Sequence, residues 1–147
     1  MKTLILTITA LILMIMGFSQ SGIDPDGIIP VDENVKIGKL DNGLTYYIRH
    51  NKKPEKRAEF FLVVNAGAIL EDDKQNGLAH FCEHMAFNGT KNFKKHDIIK
   101  YLQSIGMKFG PEINAFTSYD VTNYMLQKVP VENVDTALLV LYDWAAN

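Results

Sequence analysis

Gly77-Leu-Ala-His-Phe-Cys-Glu-His-Met-Ala-Phe-Asn-Gly89 decides how the rest of the chain is read. It holds His80-x-x-Glu83-His84, two imidazoles four residues apart with a carboxylate between them. Four residues is about one helical turn, so a helix would project both imidazoles from the same side. At ~100° per residue, His80, Glu83, His84 and Phe87 share one half of the wheel. Leu78, Phe81, Cys82 and Met85 share the other half and form an apolar face that the pattern predicts to be buried. Asn76 is the predicted N-cap, and Asn88-Gly89 the C-terminal stop.

The spacing suits zinc. Neutral imidazole is a good zinc ligand, and two on one turn offer two corners of a tetrahedron without ordering a loop. Glu83 projects from the neighbouring part of that face, where a carboxylate can take a proton from zinc-activated water. His-x-x-Glu-His is the reverse of the more familiar His-Glu-x-x-His order of metalloproteases. The competing reading is a surface His–Glu pair on a metal-free core domain.

Upstream, Met1-Lys2 opens a basic start and Leu4 to Met16 is an almost unbroken apolar run, followed by Gly17-Phe18-Ser19. This predicts a signal peptide over residues 1–19, with Gln20 as the new N-terminus. The run is short for a membrane span of ~20 residues, so no stable membrane anchor is expected. A signal anchor is the alternative. Export to a periplasm or the cell exterior follows, and no cysteine near the cleavage point offers a lipid attachment. The remainder suffices for one domain with its own core. A formal charge of −2, with no basic stripe, argues against a nucleic-acid partner. Cys82 is the single cysteine, which excludes an internal disulfide, and its place on the apolar face predicts a buried structural thiol.

Residues 20–34 are rich in Pro, Gly and Asp and read as a linker or an N-terminal arm. Asp41-Asn42-Gly43 between Lys36–Leu40 and Leu44–Arg49 is a hairpin signal. His50 adjoins a basic turn and reads as solvated. Glu59 to Ala66 reads as a central strand buried on both faces. Glu71-Asp72-Asp73 reads as a solvated acidic turn, with electrostatic shaping of the site as the alternative. Lys95 to Ile105 carries apolar residues at helical spacing and Gly106 ends it, with His96 exposed at its start. Ile113–Ser118 and Val121–Val129 read as strands joined by a tight turn. After Pro130 a last helix buries Val134, Leu138, Leu141 and Trp144-Ala145, with Glu132 and Asp135 in its first turn. It is still running at Asn147, which reads as an end of the available sequence rather than of a domain.

Two blocks carry a resemblance. Gly77 to Thr90 is similar to the zinc-site helix of the pitrilysin/insulinase family of metallopeptidases, and Asn114-Ala-Phe-Thr-Ser-Tyr-Asp-Val-Thr-Asn-Tyr124 resembles the stretch downstream of that helix. The likeness runs from about Val35 to the last residue, so residues 35–147 are read as the N-terminal part of a metallopeptidase domain. The resemblance implies an α+β fold, an antiparallel-rich sheet with helices packed on one face. It implies a zinc-dependent endopeptidase acting on peptides or unfolded segments. His80 and His84 would hold one zinc, and Glu83 would be general base and then proton donor to the leaving amine. A third ligand, a glutamate on a later helix, is implied beyond residue 147, and neither Glu112 nor Glu132 matches it. A homologous C-terminal half or second subunit is implied too. An extended peptide would add to an edge strand through backbone hydrogen bonds, touching Asn114 and Ala115. The alternative is a non-catalytic peptide-binding or structural partner subunit. Inactive partners typically lose a ligand or the base, whereas all three residues stand here.

Overall fold

The computed structural model describes residues 27, 28 and 30–146. The predicted signal peptide and residues 20–26 of the predicted arm lie outside the described residues. The chain divides into two units, one ending at His50 and one beginning at Asn51.

The first unit holds a hairpin of β1 (Val35–Lys39) and β2 (Thr45–Arg49), antiparallel from Val35↔Arg49 to Lys39↔Thr45. Its turn closes as the Asn-Gly pair predicts: Gly43 N–H donates to Leu40 O at 2.9 Å, and Leu44 N–H to Asn42 Oδ1 at 3.1 Å. At its open end Arg49 pairs with Asp32 at 3.1 Å. Asp32 also accepts the Asn34 backbone N–H and side-chain amide, and these, with Arg49, hold its carboxyl below the usual range.

The second unit runs β3 (Arg57–Val64), a 3₁₀ turn (Ala68–Leu70), α1 (Leu78–Ala86), α2 (Asp97–Ser104), β4 (Ile113–Thr117), β5 (Thr122–Pro130), a 3₁₀ turn (Val131–Asn133) and α3 (Val134–Ala146). The three strands form an antiparallel sheet in the order β3-β5-β4. β3 was expected to be central and buried on both faces; β5 is central instead. β3 alternates, with Phe61 and Val63 exposed, because helices cover only one side of the sheet. A register shift between Ala58 and Phe60 sits opposite Lys128, whose φ is +57°. The extra residue lets Leu126 and Val129, three apart, both reach the core with no exposed surface.

That core joins Ile98 and Leu102 of α2, Met107, Ile113, Leu126 and Val129 of the sheet side, and Ala137 and Val140 of α3. Each fully buried aliphatic side chain contributes about 1.5–3 kcal/mol, while exposed ion pairs such as Lys128–Glu112 at 3.1 Å add little. Burial therefore holds the helices to the sheet. This is the predicted α+β class, with helices on one face.

Of the predicted stripe of α3, Leu141 and Trp144 pack against the core and Val134 is half-buried, while Leu138 and Ala145 face outward. Ala137, Val140 and Asp143 are its buried positions, and Leu138 is 49% exposed. Asp143 sets this rotation, because it is itself buried and fully engaged: Oδ2 accepts the Thr90 hydroxyl at 2.6 Å and the Asn92 N–H at 2.9 Å, and Oδ1 accepts the Asn92 side-chain amide at 2.6 Å.

Candidate metal centre

α1 forms where the motif predicts it, and side chains from outside the helix hold both of its ends. At the N-terminus Asn76 is not the cap. Gly77 flanks the helix at φ +84°, a left-handed conformation that costs glycine nothing. The first turn's amides are met by Glu71: Oε2 accepts Gly77 N–H and Oε1 accepts Ala79 N–H, each at 2.7 Å. Glu71 is half-buried, so the acidic loop is not wholly solvated as predicted; Asp72 and Asp73 are exposed. A carboxylate here satisfies two orphan donors and opposes the positive end of the helix dipole. Gly67 makes the approach possible, since a Cβ there would collide with Ser118 O in the β4–β5 turn. Ala68 N–H and Ile69 N–H in turn bond Ser118 O and Tyr119 O at 3.0 and 2.8 Å.

At the C-terminus Trp144 of α3 donates Nε1–H to Ala86 O at 2.9 Å. Its ring packs on Phe87 and stacks on Tyr124, each with centroids 5.2 Å apart. Tyr124 lies beneath the helix, where burial pushes its hydroxyl's pKa up and the Glu83 carboxylate and Cys82 thiol add to the effect.

Between these anchors the three motif side chains meet. His80 Nε2 and His84 Nε2 stand 3.1 Å apart, and ligand atoms of His80, Glu83 and His84, one from each, lie within 4.8 Å of one another. Two nitrogens sharing a tetrahedral zinc at about 2.0–2.1 Å would stand ~3.3 Å apart. The pair therefore fits a shared divalent cation nearly as it stands. Both imidazoles are exposed, whereas Glu83 is 7% exposed. Its Oε2 accepts the Thr117 hydroxyl of β4 at 2.7 Å. Among the described residues the other carboxylate oxygen has no hydrogen-bond partner.

This corrects the helical wheel. α1 lies against β4 by the side carrying Glu83, so the face expected to be buried is open: Leu78, Phe81 and Met85 are 45%, 60% and 43% exposed. Cys82 is likewise exposed rather than a buried structural thiol. His50 and His96 are exposed, as predicted.

Asn114 and Ala115 lie on β4, an edge strand among the described residues. Ile113 bonds outward, its N–H to Lys108 O at 3.1 Å and its C=O from Gly110 N–H at 3.0 Å, while the neighbouring Glu112 C=O accepts Gln127 N–H of β5 at 2.7 Å. By strand alternation the backbone groups of Ala115 and Thr117 also face the open edge. Ala115 N–H is met by Asn114 Oδ1 at 2.9 Å, so an added strand using that N–H would displace the Asn114 side chain. The sequence pattern did not single out Thr117 or Asp143, and for Glu71 it offered only an electrostatic role as the alternative to a solvated turn. An acid beside the apolar run Ala137–Leu141 of α3 was a visible signal for Asp143; Thr117 had none.

Residues 46–147 match the family model described as insulinase (peptidase family M16), and the chain belongs to that family. It is similar to the probable zinc protease PqqL of Haemophilus influenzae, 40% identical over 144 residues that cover 95% of this chain and 16% of that protein. A zinc protease PQQL-like protein of Arabidopsis thaliana is 52% identical over 95 residues, 65% of this chain and 10% of that one. The crystal structure of the periplasmic protease PqqL from Escherichia coli superimposes with a TM-score of 0.76 at 36% identity, over 82% of this chain and 14% of that one. The chain thus spans 10% to 16% of the length of these relatives.

Proposed function

We propose that this chain carries the metal-binding helix and the substrate-binding edge of a zinc metalloendopeptidase that cleaves peptides or unfolded segments. The observation that carries the reading is the 3.1 Å approach of His80 Nε2 to His84 Nε2 beside the buried Glu83 carboxylate. His80 and His84 hold the ion, and a third protein ligand comes from outside the described residues. Zinc, when bound, supplies Lewis-acid chemistry, polarising the scissile carbonyl and lowering the pKa of water toward about 7.

Glu83 takes the proton of the attacking water on the oxygen that Thr117 leaves unengaged, then passes it to the departing amine nitrogen. The extended substrate adds to β4 through the backbone of Ala115, displacing the Asn114 amide. A homologous second half or subunit closes over the substrate. Relatives with probable zinc protease in their names support proteolysis, and the periplasmic location of the E. coli protein supports export of this one. Retention of His80, Glu83 and His84 together favours the enzyme over a non-catalytic partner subunit.

The test is metal removal. The complete protein should cleave an unstructured peptide, lose that activity on dialysis against a chelator, and regain it with one equivalent of zinc. Undiminished cleavage by metal-free protein would overturn the proposal.

A further inference from the structure

We propose that Thr117 is a positioning residue for the reaction, fixing the general base from the same strand that receives the substrate. The inference rests on the reading of Glu83 as that base.

Glu83 sits on α1 and Thr117 on β4, 34 residues apart, yet the hydroxyl reaches Oε2 at 2.7 Å. A buried carboxylate needs its lone pairs met, and this is the one hydrogen bond Glu83 makes among the described residues. A glutamate has three side-chain torsions to fix, and one short charge-assisted bond at the carboxylate removes the last of them. With Oε2 taken, Oε1 becomes the oxygen that works on protons. Without the hydroxyl, the carboxyl group can rotate or move toward the exposed imidazoles.

The strand matters as much as the bond. By the alternation set at Ile113, the backbone of Thr117 faces the open edge, two residues beyond Ala115. A peptide laid along that edge is registered on β4, and the base is tied to β4 by Thr117. Substrate and base therefore share one frame, and a shift of α1 along the sheet cannot separate them without breaking this bond. Loss of the hydroxyl should then slow the chemical step while leaving backbone recognition of the peptide intact.

Four variants of the complete protein test this. Thr117→Val keeps the shape and the strand preference but removes the hydroxyl. Thr117→Ser and Thr117→Ala both lose the methyl group and differ only in the hydroxyl, so their ratio reads the same quantity should the valine variant fold poorly. Glu83→Gln is assayed beside them. Thr117→Val should lower kcat about 10- to 100-fold with KM and zinc content unchanged, and Thr117→Ser should exceed Thr117→Ala by a similar factor. Equal kcat values for the Ser and Ala variants, or full kcat in Thr117→Val, would overturn the role of the hydroxyl while a dead Glu83→Gln left the base in place. Cleavage by Glu83→Gln at the parent rate would remove the base and this inference together.

Discussion

Glu83→Gln is expected to keep its zinc and lose peptide cleavage, with kcat falling by at least about 10³-fold in the complete protein. The substitution conserves volume, and the glutamine carbonyl oxygen can still accept the Thr117 hydroxyl that now meets Oε2 at 2.7 Å. An amide nitrogen, however, has no lone pair basic enough to take a proton from water. Glu83 is only 7% exposed, so bulk solvent is poorly placed to substitute for it. Steady-state kinetics paired with metal analysis checks the result. Cleavage at the parent rate with zinc bound would remove Glu83 from the chemistry.

The second large effect falls on stability. Asp143→Ala should destabilise the fold by about 2–3 kcal/mol, because it deletes hydrogen bonds to a charged, buried acceptor, while the half-buried Thr90 and the exposed Asn92 can turn to water. Asp143 is 1% exposed and accepts from the Thr90 hydroxyl, the Asn92 N–H and the Asn92 amide. The Thr90–Asn92 segment follows α1, and Trp144, next to Asp143, bonds Ala86 O at the end of that helix. The carboxylate thus fastens the exit of the metal helix to α3. Equilibrium urea unfolding reads the effect as a lower midpoint at unchanged slope. A loss under about 1 kcal/mol would show that the network contributes little beyond filling space.

Much of this architecture was legible in residue order. The Asn42-Gly43 hairpin, the place of α1 in the chain and the β4–β5 hairpin follow from local chemistry, namely turn residues, a helical period and alternation, whereas the edge position of β4 was implied by the family resemblance. The misread features depend on distant partners. The wheel of α1 has two plausible inner faces, and apolar content favours Leu78, Phe81, Cys82 and Met85. The helix instead turns Glu83 to the sheet, because a hydroxyl 34 residues away satisfies its charge. The outward turn of Leu138 on α3 was misjudged for the same reason, since an aspartate was not expected at 1% exposure until Thr90 and Asn92 were seen to enclose it. Asn76 was the natural cap by composition, but Glu71 reaches the first-turn amides across a folded loop. For the candidate site, the identity of the three motif residues was readable from spacing. The groups that hold them still were not.

The most direct test of the account is a zinc titration of the complete protein, read beside His84→Ala. The parent should bind one zinc per chain and the variant should lose at least about 100-fold in affinity, since removing one imidazole deletes a ligand from a site preset by the 3.1 Å nitrogen pair. Equal zinc content and affinity in the two proteins would contradict it, and would leave His80 and His84 as a surface pair on a helix whose metal lies elsewhere.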